Sequence, residues 1–226
     1  MQTKNLRSVF SKLIHIAGDI LFPDRCVSCL SVGQILCDHC QFKLKPDFYD
    51  PTLNILTIFN YHHKIVKKLI WHLKFKRAEP VAAIFAPYME ETILNYLTEN
   101  LNSFFYQDQI LLVPIPLHPK RLKTRGYNQS KILSQKISHL NPNTFTVADI
   151  LIKTKNTPTQ VSCHKRHLRQ KNIKNSFTLQ TPIDLSNKII CVIDDVTTTG
   201  ATLEEALRVL ASRRPKHLLA VTVAHG

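Results

Sequence analysis

The sequence predicts an α/β chain, with a mostly parallel sheet flanked by helices and a small four-cysteine module before it. Three observations carry this. Ile189-Ile190-Cys191-Val192-Ile193 is an apolar, mostly β-branched run without a polar interruption, as in a strand buried on both faces. Ile110-Leu111-Leu112-Val113 is a second such run, ended by Pro114 and Pro116. Each leads through a polar loop into apolar residues at helical spacing, and strands that alternate with helices pair in parallel. The third observation is Cys26, Cys29, Cys37 and Cys40, two C-x-x-C pairs set close together.

The 226 residues suffice for one ordinary domain and a small appendage, and a hydrophobic content of 44% suffices for its core. The formal net charge is +14, from 30 Lys plus Arg against 16 Asp plus Glu. That excess points to a polyanionic partner, nucleic acid or anionic membrane, beyond a merely solvated basic surface. No apolar run is long enough to span a bilayer, so no transmembrane segment is expected.

Residues 1–22 place Leu6, Val9, Phe10, Leu13, Ile14, Ala17, Ile20 and Leu21 at helical spacing, an amphipathic N-terminal helix. His15 and Asp19 interrupt it and no small-residue cleavage site follows, which argues against a signal peptide. The expected location is cytoplasmic. An interfacial helix of this kind is also compatible with the inner face of the membrane.

Residues 23–46 form the cysteine module. Each C-x-x-C pair can turn both thiolates toward one metal, and two such knuckles complete a tetrahedral site. Disulfides need an oxidising compartment, and a redox pair does not need a duplicate. The spacing therefore points to structural zinc, closed by four thiolates with no position left for catalysis.

Lys43 to Pro51 reads as a linker, and residues 52–226 as one α/β domain. Asn54 to Tyr61 is strand-like. His62 to Phe75 reads as a helix with Ile65, Val66, Leu69, Ile70 and Leu73 inward. Around it lie His62, His63, Lys64, Lys67, Lys68, His72, Lys74, Lys76 and Arg77, with Tyr61, Trp71 and Phe75 nearby. Such a face suits a nucleic-acid backbone. Its bland alternative is a solvated charge run with the aromatics in the core. Pro80 to Leu101 is a longer amphipathic helix with a packing role.

The strand Ile110 to Pro116 leads into a loop with Lys120, Arg121, Lys123, Arg125 and Gly126, before a helix over Ile132 to Ile137. Arginine there can grip a pyrophosphate through paired donors. Asp149 to Lys153 reads as another strand. The polar, basic stretch after it holds Gln160, Arg166 and Arg169.

After Ile193 come Asp194 and Asp195, then Val196-Thr197-Thr198-Thr199-Gly200-Ala201-Thr202 and a helix from Leu203 to Ser212. Leu218 to Ala224 closes the sheet. Strand, acidic pair, polar turn and helix is the layout of a phosphate site at the carboxyl end of a parallel sheet. Thr198, Thr199 and Thr202 can donate to phosphate oxygens, and Gly200 lets the backbone come close. The carboxylates suit ribose hydroxyls or a magnesium ion that travels with a polyphosphate. A buried strand followed by a threonine-capped helix explains the threonines but not two adjacent acids.

The Asp-Asp-Val-x-Thr-Thr-Gly-Ala-Thr run resembles the phosphoribosyl pyrophosphate (PRPP) signature of type I phosphoribosyltransferases. Val113 to Ser130 resembles the VPxPLHPxRxxxRGxNQS signature of ComF-type competence proteins, a family with that fold. With the paired cysteines, the resemblance spans nearly the whole chain. It implies a type I phosphoribosyltransferase-like fold. It also implies that Asp194 and Asp195 meet ribose hydroxyls and magnesium-linked water as the catalytic pair, that Thr198, Thr199, Gly200, Ala201 and Thr202 cradle the 5-phosphate, and that Lys120, Arg121, Arg125 and Gly126 meet the pyrophosphate. Gln160, Arg166 and Arg169 would lie in a flexible loop that folds over PRPP.

Two departures stand out. Purine-salvage enzymes carry an acid as general base where this chain has Thr198, and threonine is a poor proton acceptor. The chain also ends after its last strand, which leaves no C-terminal hood for a base. Both features fit the ComF family, which is known for DNA uptake. The expected function is handling of single-stranded DNA in transformation or DNA utilisation, with a PRPP or related phosphoribosyl ligand. A competence helicase or recombination mediator is a further candidate partner. The alternative is an active phosphoribosyltransferase with an unidentified acceptor.

Overall fold

The structure is a computed structural model that describes residues 24–47, 55–76, 78–101, 109–155, 173–180 and 183–226. It divides into two compact units, Met1–Lys45 and Pro46–Gly226. The N-terminal helix expected over 1–22 lies outside the described residues.

In the first unit, Arg25 and Val32 form an antiparallel bridge around a tight knuckle. Leu30, at φ 68°, donates its N–H to the Cys26 carbonyl, and Cys26 donates to the Ser31 carbonyl. A one-turn helix, α1 (Asp38–Gln41), starts at Cys37 and buries Cys40. Val27, Ile35, Leu36 and Leu44 complete a small core.

The second unit is built on a five-stranded sheet. Its strands are β1 (Ile55–Asn60), β2 (Ile110–Pro114), β3 (Phe145–Val147), β6 (Ile189–Thr197) and β7 (His217–His225). They run in the order β1-β7-β6-β2-β3, and every neighbouring pair is parallel. β6 is central because its five apolar residues are buried on both faces, and no edge strand could be. The remaining strands, β4 (Leu151–Lys153) and β5 (Phe177–Leu179), form a separate antiparallel pair. The strand expected over Asp149 to Lys153 forms at Leu151–Lys153, outside the five-stranded sheet, and β3 and β5 have no periodic signal in three residues each.

The helices are α2 (Lys64–Phe75), α3 (Ala78–Asn100), α4 (Pro119–Arg125), α5 (Gln129–Leu140) and α6 (Ala201–Ala211). α3 packs against both α2 and α5. Leu203, Ala206 and Leu210 of α6 share a core with Ile190 and Val192 of β6. One expectation is corrected here. The basic stretch after β2 is not a loop: residues 119–125 are helical, and the following helix begins at Gln129. The reason is local capping. His118 Nδ1 accepts the Lys120 N–H at 3.3 Å, Pro119 supplies a preset φ, and Gly126 closes the turn at φ 84°.

The topology fixes where a ligand can bind. After β2 the chain proceeds to β3 on one side, and after β6 it proceeds to β7 on the other. The connections diverge between β2 and β6, and a crevice opens at the carboxyl ends of those two strands. The acidic pair and the basic segment after β2 both emerge there.

Ile190 is fully buried in β6. Ile190→Ala is expected to cost about 2–5 kcal/mol, by lost apolar contact and an unfilled cavity. Denaturant unfolding checks it, and a loss below about 1 kcal/mol would contradict so tight a central strand.

Candidate functional site

Successive strand residues point to opposite faces, and the two acids follow this rule. Asp194 is in phase with Ile190 and Val192, while Asp195 turns the other way. Asp194 Oδ1 accepts a hydrogen bond from Ser130 Oγ at the start of α5, at 2.8 Å, and from the Asp195 N–H at 2.9 Å. Asp195 is 4% exposed, and its Oδ1 lies 3.2 Å from Lys74 Nζ of α2. Its Oδ2 is buried without a protein partner.

Burial, together with the neighbouring Asp195 carboxylate, pushes Asp194 up to about 7 against the pull of the Asp195 amide, the Ser130 hydroxyl and Lys74. The Lys153 ammonium at the end of β4 is pushed down by burial; the Asp194 carboxylate opposes this and the Arg121 guanidinium adds to it. Arg121 is itself pushed down by burial and by Arg125. Cations from α2, α4 and β4 thus act on the crevice that holds the acidic pair.

Thr198, Thr199 and Gly200 make the turn after β6, and Ala201 and Thr202 begin α6. Gly200 has φ 76°, and a Cβ there would come within 3.2 Å of Glu204 Oε1. No side chain caps α6. Thr198 Oγ1 is buried without a partner. Two orphaned oxygens, Asp195 Oδ2 and Thr198 Oγ1, therefore stand three residues apart beside an uncapped helix N-terminus. Buried polar atoms are rarely left so, and a ligand that supplies hydroxyls and a phosphate would satisfy both.

Below the acidic pair, Asn128 caps α5 and also donates Nδ2 to the Ile115 carbonyl at 3.0 Å, which ties the basic segment to the strand end. Arg125 Nη1 donates to Gln129 Oε1 at 2.6 Å, and Tyr127 donates to the Leu73 carbonyl at 3.0 Å. Lys120, Arg121, Arg125 and Gly126 thus lie on α4 and its C-cap. Gln160, Arg166 and Arg169 fall outside the described residues. Beyond them, the Asn175 N–H donates to Glu205 Oε1 of α6 at 2.7 Å, while Arg208 holds the same carboxylate.

Sequence reasoning missed Lys74, Ser130 and Lys153 as site residues. Lys74 stood in the basic helix as one cation among many, yet it is held by Asp195 rather than offered with the outer face. Ser130 lies inside the quoted motif and was given no role. The sign for Lys153 was a lone cation at the end of a strand.

In the first unit, the ligand atoms of Cys26, Cys29, Cys37 and Cys40 lie within 4.8 Å of one another, so the four could bind a metal ion. Cys29 Sγ and Cys37 Sγ are 3.6 Å apart. A tetrahedron with Zn–S bonds of about 2.3 Å has edges of about 3.8 Å, so the donor set fits zinc. Burial pushes the Cys26 thiol up, but the amides of Cys29, Cys37 and Ser28 outweigh it and bring it to about 6. Cys40 goes to about 11: a Ser28 hydrogen bond lowers it, and burial with the three other sulfurs raises it more. Four sulfurs this close cannot all ionise without a cation among them.

Comparison with known proteins agrees with this geometry. Residues 122–226 match the phosphoribosyl transferase domain family. Over 142 residues the chain is 32% identical to DNA utilization protein YhgH of Salmonella typhimurium, covering 63% of this chain and 59% of that one. Over 160 residues it is 30% identical to DNA utilization protein YhgH of Escherichia coli, covering 71% and 66%. Competence protein F of Haemophilus influenzae is 29% identical over 192 residues, covering 82% and 77%. The chain belongs to the ComF-type family. It spans about three fifths of the Salmonella relative's length. In this ComF-type chain the parallel sheet and its flanking helices are a type I phosphoribosyltransferase-like domain, preceded by a four-cysteine cluster. Among the described residues, no helix is long and apolar enough to cross a membrane.

The raised Asp194 makes a signed prediction. Its folded form keeps a proton that the unfolded chain has already lost, so its contribution to stability falls as pH rises from about 4 to about 7. Asp194→Asn is expected to flatten that part of the ligand-free pH profile, read by thermal melts between pH 5 and 8. An unchanged slope would contradict the assignment.

Proposed function

We propose that this ComF-type chain handles single-stranded DNA during DNA utilisation, and that its crevice binds PRPP or a related phosphoribosyl ligand. The observation that carries the ligand reading is the pair of orphaned buried oxygens, Asp195 Oδ2 near the end of β6 and Thr198 Oγ1 in the turn that follows it. Asp194 and Asp195 would take the ribose hydroxyls and the water of a magnesium ion that accompanies the ligand. Thr198, Thr199, Gly200, Ala201 and Thr202 would hold the 5-phosphate through hydroxyls and amides. Lys120, Arg121 and Arg125 would face the pyrophosphate, with the Gly126 turn beside them.

The DNA reading is supported by the names of the relatives and by the +14 charge. The four cysteines would hold zinc as a structural ion. Its role there is to fix the two knuckles in a segment too short to bury a large core.

A second reading, transfer of the phosphoribosyl group to an acceptor, is favoured by the intact acidic pair. Pyrophosphate would leave the anomeric carbon as the acceptor attacks, and the cations around the crevice would stabilise the departing charge. Thr198 stands where purine-salvage enzymes place an acid, so a purine acceptor does not fit.

Fluorescence anisotropy with a labelled single-stranded oligonucleotide tests the proposal. Affinity is expected to fall roughly tenfold or more between low and physiological salt, as several phosphate contacts require. Absent or salt-independent binding would overturn it.

A further inference from the structure

α2 presents an outer face that the phosphoribosyl site does not use. Residues 61–78 contain six Lys and Arg and three His, and no acid. The sequence left open whether the aromatics here belong to the core. Two do not: Trp71 is 46% exposed and Phe75 is 59% exposed, although each could have been buried in a chain with this much apolar surface to hide. Their ring centroids are 5.9 Å apart. Lys76 Nζ lies 5.2 Å from the Trp71 ring centroid, and the Arg125 guanidinium lies 5.4 Å from that of Phe75.

Lys64, Lys68, Trp71 and Phe75 follow one another at spacings of four, three and four, so they form one stripe along the helix. All four are exposed, as is Lys67 beside them. The stripe ends at the crevice. Lys74, one residue before Phe75, reaches Asp195, and Arg125 belongs to α4, the helix that follows β2.

We infer that Trp71 and Phe75, with Lys76 and Arg125 over their rings, form a base-stacking platform for single-stranded DNA. Lys64, Lys67 and Lys68 track its phosphates. The inference rests on the DNA-handling reading and adds to it where the strand lies and what grips the bases. Charge decides between occupants. A second copy would bring an equally cationic face against this one, which repulsion opposes. A polyanion with flat apolar faces meets both features at once. Aromatic rings that stack unpaired bases, bordered by cations for the backbone, are the physical basis of sequence-tolerant single-strand binding. Duplex bases are already stacked and cannot use the rings.

Trp71 is the one tryptophan in the chain, so its emission reports on the platform directly. The full chain is titrated with oligothymidine, with an abasic phosphodiester strand of equal length and with duplex DNA. Trp71 emission and the anisotropy of a labelled strand are followed together. Oligothymidine is expected to quench Trp71, while the abasic strand binds without quenching and the duplex quenches little. Phe75→Ala keeps the reporter and removes an exposed ring, so its melting temperature should match the parent. It is expected to weaken oligothymidine binding roughly fivefold to a hundredfold, and to leave abasic binding unchanged. If oligothymidine binds by anisotropy without quenching, and Phe75→Ala binds as the parent does, the DNA reading stands and the platform falls. If no strand binds but thymidine monophosphate quenches Trp71, the DNA reading falls and the platform remains as a nucleobase site. A response to anionic vesicles alone would overturn the inference and reassign the face to a membrane surface.

Discussion

The second unit depends on holding two adjacent carboxylates, Asp194 half-buried and Asp195 buried, near the end of its central strand. Charge is costly to bury unless it is paired and hydrogen-bonded. Here the pairing is supplied from three separate elements. Lys74 comes from α2, Ser130 from α5, and Lys153 acts from β4. These contacts hold the helices in position around the acidic pair, yet they leave Asp195 Oδ2 unsatisfied. A site designed only for stability would have replaced both acids with apolar residues. The retained cost is the physical argument that the pair serves a ligand.

The sheet order explains why that cost falls where it does. β6 lies between β2 and β7, and the chain leaves β2 and β6 in opposite directions. The crevice that results is lined by the turn after β6, with its αL glycine and uncapped helix, and by the segment after β2, with its cations. Positive charge and an uncapped helix N-terminus thus meet at the ends of two fixed strands. The helix dipole of α6, the free amides and the guanidinium groups all favour the same charge.

Much of this was legible in the sequence. The β6 run and the helix after the Thr-Thr-Gly turn are plain from apolar periodicity, and the two adjacent acids are what a buried strand followed by a threonine-capped helix leaves unexplained. The four cysteines were equally plain. Other features needed the fold. The seven residues of α4 carry no periodicity, and its caps, His118 and Gly126, only make sense once the turn is closed. β3 and β5 are three residues each and gain their pairing from neighbours far along the chain. Lys74 is 121 residues from Asp195 in sequence, so no local pattern could connect them. The exposure of Trp71 and Phe75 was likewise invisible, since an aromatic at helical spacing reads as core until the helix is docked.

The most direct test of the central claim is a calorimetric titration of PRPP with magnesium into the metal-loaded chain, run beside Asp195→Asn. The account predicts saturable binding to the parent and its loss in the variant, since Asp195 contributes the orphaned carboxylate oxygen that the ligand is meant to satisfy. Absence of binding to the parent, or equal binding to the variant, would contradict the claim that this acidic pair is kept for a phosphoribosyl ligand.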